Sequence, residues 1–173
     1  ADGLSSYQVS PDGSLILLLH ATGGNENTQI SLLDPKADGG QGRIVPLLRN
    51  PRVRHDSVRW LDDSRGFLYT ANDDSPNDFH VYRYDFAADP FAVEGSPGAA
   101  TKLLARGGAW APSVASPDGT RVLIENFRSA SDISLFELEV ASGRLMDLTP
   151  AAPGGGTVAV GSVGYTPDGR GVL

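Results

Sequence analysis

The chain predicts an all-β fold, a β-propeller built of four-stranded antiparallel blades, and three observations lead there. A Ser/Thr-Pro-Asp-Gly turn stands at 10–13, 116–119 and 166–169, with a degraded copy, Leu61-Asp62-Asp63-Ser64. Its aspartates fall at 12, 63, 118 and 168, in steps of 51, 55 and 50 residues, the period of a repeat architecture. The strand after the turn is apolar on consecutive residues, as in Leu15-Ile16-Leu17-Leu18-Leu19 and Val122-Leu123-Ile124. Such a run requires burial on both faces, where a sandwich strand with one wet face would alternate. A blade pressed between neighbouring blades meets that requirement.

Each repeat reads as strands A to D. The first places them at 6–9, 15–20, 29–33 and 43–48, the second at 57–60, 66–70, 80–84 and 101–105. The third has them at 113–115, 121–126, 133–140 and 144–148, and the fourth supplies 162–165 and 171–173. The expected blades are therefore about 5–49, 55–106 and 111–149, with an incomplete one at about 158–173. In the turn, proline presets φ, aspartate suits the next position, and glycine supplies the left-handed residue. Ser64 stands where the second copy lacks that glycine, and Gly66 is expected to carry the turn instead. Strand C gives an independent check, because Ile30-Ser31-Leu32-Leu33-Asp34 aligns with Val81-Tyr82-Arg83-Tyr84-Asp85 and with Leu135-Phe136-Glu137-Leu138-Glu139. Pro46 in the first strand D requires a sheet edge, which the outermost strand of a blade provides. The Ser/Gly/Ala-rich A strands suit a crowded central channel. Three and a half blades are fewer than the four to eight that usually close a ring. The expectation is a piece of a longer chain, or completion by a second copy or partner.

Composition limits the function classes. With 40% hydrophobic and 20% charged residues the chain is globular in character. No apolar run approaches a membrane span, and Ala1-Asp2-Gly3 does not read as a signal peptide. The absence of cysteine excludes disulfides and thiolate metal sites. A net charge of −7 argues against nucleic acid as a partner, since phosphate binding needs clustered Lys and Arg. Neither a membrane partner nor a cofactor is expected.

The turn before an apolar strand B, with an acidic residue closing strand C, resembles the TolB-like propeller repeat. The third repeat is more particular. Trp110, the run from Ser113 to Ile124, Asn126, Leu135-Phe136-Glu137-Leu138 and Ala141-Ser142-Gly143-Arg144 are similar to blades of the non-catalytic propeller in prolyl oligopeptidase family serine peptidases. In that family the propeller precedes an α/β-hydrolase domain and limits which peptides reach a Ser-Asp-His triad. The resemblance implies a substrate gate or docking surface, with a hydrolase domain of the same parent chain and a peptide or protein ligand as partners. No Gly-x-Ser-x-Gly elbow occurs, so no catalytic residue is expected here. A stand-alone TolB-like interaction scaffold is the alternative, a polysaccharide- or metal-binding propeller a third. Bacterial periplasm and cytoplasm are both compatible, and the TolB-like resemblance favours the periplasm.

Binding residues are expected on the face formed by the B–C and D–A connections, at 21–28, 50–56, 72–78, 107–109, 127–132 and 150–157. The candidates are Arg54, His55, Asp73, Asp74, Asp78 and Arg128. Arg54, Arg59 and Arg128 could grip a carboxylate in bidentate fashion, although surface arginines usually do not. The segment 72–78 is rich in oxygen ligands, but it lacks the spacing and glycine of a calcium loop, and a solvated loop is favoured. His20, His55 and His80 fall near this face without metal-ligand spacing and read as strand-end histidines. Trp60 and Trp110 read as core residues. Gly39-Gly40-Gln41-Gly42 and Gly154-Gly155-Gly156 read as flexible connections, since neither stands between a strand and a helix.

Overall fold

The computed structural model describes residues 3–21, 26–93, 95–149 and 157–173. The first sheet holds β1 (Gly3–Val9), β2 (Ile16–Ala21), β3 (Gln29–Asp34) and β4 (Arg43–Leu48), paired antiparallel in chain order. The second repeats this order with β5 (His55–Trp60), β6 (Gly66–Ser75), β7 (Asp78–Phe86) and β8 (Gly98–Leu104). The third has β9 (Ala109–Ala115), β10 (Arg121–Ser129), β11 (Asp132–Glu139) and β12 (Leu145–Asp147). In the fourth repeat the bridge Tyr165↔Val172 closes the turn at 166–169. Among the described residues no helix is long and apolar enough to cross a membrane.

Neighbouring sheets meet at the same place each time. The Thr28 carbonyl accepts from His55 N at 3.1 Å, and the Gly108 carbonyl accepts from Phe79 N at 3.0 Å. The Val158 carbonyl accepts from Ile133 N at 2.7 Å. The start of strand C in one repeat thus pairs with the segment entering strand A of the next, and parallel bridges Phe79↔Ala109 and Ile133↔Ala159 result.

The turn works through a side chain as well as through its proline and glycine. Ser116 Oγ donates to Asp118 Oδ1 at 2.6 Å and accepts from Arg121 N at 3.0 Å, while Asp118 Oδ1 accepts from Thr120 N at 3.1 Å. The same three contacts recur from Ser10 to Leu15 and from Thr166 to Gly171. These hydrogen bonds favour the carboxylate, so the pKa of Asp12 and of Asp118 falls to about 2. In the second repeat the expectation for Gly66 is corrected. Ser64 itself takes the left-handed conformation, at φ +59°, as Gly13, Gly119 and Gly169 do in theirs. Gly66 serves a close approach instead, because a Cβ there would lie 2.2 Å from the Tyr84 carbonyl oxygen.

Double burial of the B strands is seen where a sheet has a neighbour on each side. Phe67 and Tyr69 of β6 pack toward the first sheet with Leu17, Leu19, Ile30 and Leu32. Leu68, between them, packs toward the third with Val122 and Ile124. Two stacked aromatic pairs run through the first of these cores, with Phe67 near-parallel to Tyr84 at 5.2 Å and Tyr69 near-parallel to Tyr82 at 5.1 Å. The outer side of the first sheet has no neighbouring sheet among the described residues. Tyr7, Val9, Ile16 and Leu18 lie there, at the positions that Val58, Trp60, Phe67 and Tyr69 occupy in the second sheet. Tyr7 is 63% exposed, whereas Val58 is 2% exposed.

Several expected boundaries move. The connections at 72–78 and 127–132 are largely strand, because β6–β7 and β10–β11 continue past the sheet as tight hairpins. The 39–42 segment belongs to a single irregular turn, α1 (Ala37–Gly40), in which Asp34 Oδ1 accepts from Lys36 N and Ala37 N. Pro46 lies on the outer edge strand β4, as expected. Gly154-Gly155-Gly156, 22–25 and most of 150–157 lie outside the described residues.

Candidate functional site

A groove of about 530 Å3 runs between the second and third sheets along their first strands. Arg54 and Asp56 form one side, Glu125 and Phe127 of β10 the other, and Phe79 and Trp110 line its apolar wall. Two β-bulges build it. In β5 the register slips between Asp56 and Arg59, and Ser57 in the bulge has φ +49°, a left-handed value that a serine adopts at a cost. Ser57 N donates to Asp56 Oδ1 at 2.8 Å, which fixes the carboxylate. In β9 the slip leaves Ser113 as the extra residue, and its hydroxyl donates to Glu125 Oε1 at 2.7 Å. A neighbouring cleft of about 290 Å3 shares Glu125 and adds Arg59 and the 160–163 segment.

Arg54 is held from both ends. Its backbone N–H donates to Asn72 Oδ1 at 2.7 Å, and its side-chain Nη2 donates to Asp56 Oδ2 at 2.7 Å. Its Nε is sealed from solvent without an acceptor, the one buried side-chain polar atom so left among the described residues. Arg128 is the opposite case. It closes on Asp132 in bidentate fashion, Nε to Oδ2 at 2.8 Å and Nη2 to Oδ1 at 2.5 Å, and also reaches Asn126 and Ser134. The carboxylate grip expected of Arg128 is therefore made within its own hairpin. That pairing raises the pKa of Arg128 and lowers that of Asp132.

The acidic candidates gather on the β6–β7 hairpin, away from the groove lining. Asp78 Oδ1 accepts from Gly108 N at 2.7 Å and ties the hairpin to the segment entering β9. Asp73, Asp74 and His80 bring a ligand atom each within 4.8 Å of one another, the arrangement of a metal site. The Lys102 ammonium stands among them, 3.2 Å from Asp73 Oδ2 and 2.8 Å from Asp74 Oδ2, and supplies the positive charge such a trio would draw. Burial opposes ionisation of Asp73, but hydrogen bonds from Tyr82 and Lys102 outweigh it and hold the pKa below the ordinary value. Burial, then the bond to Asp73, pushes Tyr82 up to about 12. Hydrogen bonds to Asp74 and Tyr82 raise Lys102.

His55 is buried, with Nδ1 2.8 Å from the Thr28 carbonyl, and desolvation lowers its pKa despite that bond. His20 pairs with Ser31 at 3.0 Å. The three histidines thus have separate partners. Trp60 packs edge-on against Phe86 in the core, while Trp110 is both core and groove wall. Of the six predicted site residues, Arg54 alone lines the groove. Asp56, Glu125 and Phe127 were missed, because the bulges in β5 and β9 that shape the groove beside them depend on pairing partners and leave no local signature.

No family model matches the sequence, and no curated protein does. The fold itself has solved counterparts. TolB from Acinetobacter baumannii superposes with a TM-score of 0.60 at 23% identity, over 98% of this chain and 37% of that one. A prolyl endopeptidase superposes at 0.59 and 16% identity, over 95% of this chain and 23% of that one. A puromycin-hydrolysing peptidase from Mycobacterium tuberculosis gives 0.58 and 14%, over 96% of this chain and 26% of that one. This chain therefore spans less than half the length of each counterpart. The likeness establishes the propeller fold.

Proposed function

We propose that this chain is a non-catalytic propeller segment acting as substrate gate and docking surface of a prolyl oligopeptidase-like serine peptidase. The groove between the second and third sheets carries the reading. An aromatic wall with a few placed polar groups is the usual form of a ligand cleft, and its volume falls within the customary range. A peptide needs both features, apolar surface for side chains and charged ends for its amides or termini. In this reading chemistry belongs to an α/β-hydrolase domain of the parent chain, and Asp73, Asp74, Asp78 and Arg128 form a polar rim around the docking face. The open side of the first sheet receives another blade, from the parent chain or from a second copy. The test is titration of the chain with a library of proline-containing octapeptides. Saturable binding without cleavage by mass spectrometry is expected, and absence of binding throughout the library contradicts the gate.

A second reading, a TolB-like interaction scaffold, is favoured by the higher identity to TolB. Under it a folded protein partner binds and short peptides do not. The parent coding sequence separates the two, since a Gly-x-Ser-x-Gly elbow in a following hydrolase domain belongs only to the peptidase.

A further inference from the structure

We infer that Asp38-Gly39, in the turn between β3 and β4, is a covalent modification site, where the peptide bond migrates from the α-carboxyl to the side-chain carboxyl of Asp38 and leaves isoaspartate. This is independent of what the groove binds. Asp-Gly steps stand at 2–3, 12–13, 38–39, 118–119 and 168–169, with Asp2 outside the described residues. The migration needs two free groups, the aspartate carboxyl as electrophile and the next amide nitrogen as nucleophile. At the three repeat turns both are engaged. Asp12, Asp118 and Asp168 each accept on Oδ1 from the hydroxyl of Ser10, Ser116 or Thr166 and from the amide two residues on. Gly13 N, Gly119 N and Gly169 N, the attacking nitrogens, donate to the carbonyls of Ser10, Ser116 and Thr166 at 2.9, 2.8 and 2.8 Å. The same bonds keep these carboxyls ionised to lower pH, and a carboxylate has no hydroxyl to lose.

Asp38 differs in each respect. It is exposed, and its carboxyl has no hydrogen bond or ion pair among the described residues. Its backbone is left-handed, at φ +51° and ψ +41°, a conformation that strains a residue with a Cβ and costs little to leave. Gly39 and Gly40 follow, and a Cβ added at either would meet no atom within 4 Å, so nothing crowds the turn as it rotates. The bonds that close the turn lie beyond this step, from Gln41 N and Gly42 N to the Ala37 carbonyl. In the first stage Gly39 N loses its proton and bonds to Asp38 Cγ, and the carboxyl hydroxyl leaves with a proton as water. A five-membered succinimide results. Water then adds to the carbon that was the Asp38 backbone carbonyl, its bond to nitrogen breaks, and a free carboxyl forms there. Gly39 stays bonded through Cγ, so the backbone gains one carbon while the mass is unchanged. The step consumes no oxidant, reductant or cofactor.

The experiment incubates the whole chain in mildly acidic buffer, native and urea-unfolded, and follows its tryptic peptides. Electron-transfer fragmentation separates isoaspartate from aspartate at equal mass. Trypsin releases Ala37–Arg43, in which Asp38 is the one aspartate. In the native chain isoaspartate is expected at Asp38 at least about tenfold faster than at Asp12, Asp118 or Asp168, because a single turn bond that must break first already amounts to that factor. In urea the four rates should converge, since the unfolded steps share the same chemistry. Asp38→Glu should remove the product, as its ring would be larger, and Asp38→Asn should give it faster with loss of ammonia. Native rates at Asp38 no higher than at the three repeat turns overturn the inference. A ratio that persists unchanged in urea assigns the difference to neighbouring sequence and overturns it as well.

Discussion

Phe67→Ala measures how strongly adjacent sheets depend on one another. The ring is fully buried, lies parallel to Tyr84 at 5.2 Å, and sits within 6.0 Å of Tyr69 and Phe86. It faces Leu17, Leu19, Ile30 and Leu32 of the first sheet, so its removal opens a void between two sheets. Truncation of a buried phenylalanine costs about 3–5 kcal/mol, of which aromatic contacts supply roughly 0.5–1.5 kcal/mol per pair. The rigid strands on both sides restrict collapse and favour the upper half of that range. For a chain of this length the loss corresponds to a fall in Tm on the order of 10 °C. Equilibrium urea unfolding followed by circular dichroism and tryptophan fluorescence is the assay, with Phe127→Ala as an exposed control costing under ~1 kcal/mol. Trp60 reports on the first interface and Trp110 on the second. A cost below about 1 kcal/mol, or unfolding of the first sheet alone, refutes mutual burial as the source of stability.

Four further perturbations follow from the same geometry. Gly66→Ala pushes a methyl group into the Tyr84 carbonyl and should destabilise by about 1–3 kcal/mol in urea unfolding, with a neutral result contradicting the close approach. For Asp12 and Asp118 the folded pKa lies below the unfolded value, so their contribution is present above about pH 4 and is lost as pH falls toward about 2. His55 acts at higher pH. Its folded pKa is depressed, so below 6.5 the unfolded chain gains a proton first and stability falls, a slope that His55→Gln should flatten in pH-dependent melts. Tyr7→Glu on the open side of the first sheet should reduce concentration-dependent association in sedimentation runs, and a native chain that stays monomeric throughout contradicts the open side as a docking face.

Much of the fold was legible because its determinants are local and repeated. The proline, aspartate and glycine of the turns dictate backbone angles within four residues, and their spacing sets the repeat. Phe67, Leu68 and Tyr69 announce burial on both faces through the absence of any polar residue between them. The rest depends on pairing across strands. Nothing within Leu61-Asp62-Asp63-Ser64 announces that Ser64 takes the left-handed angle, because Gly66 is committed to the Tyr84 carbonyl on the neighbouring strand β7. The segment 72–78 reads as a loop from its Asn, Asp and Pro content, yet Tyr82, Lys102 and Gly108 hold it as a hairpin from three separate places. Likewise the groove is set by register slips at Ser57 and Ser113, residues that look like ordinary strand serines until their partners are known.

The most direct measurement of the central claim is a two-dimensional amide NMR titration of the chain with a proline-containing octapeptide. The account predicts shifts confined to 54–57, 109–113 and 125–127, on the two bulged strands and the β10 segment facing them. Shifts confined to the outer edge strands β4 and β8, or an unchanged spectrum at saturating peptide, would contradict it.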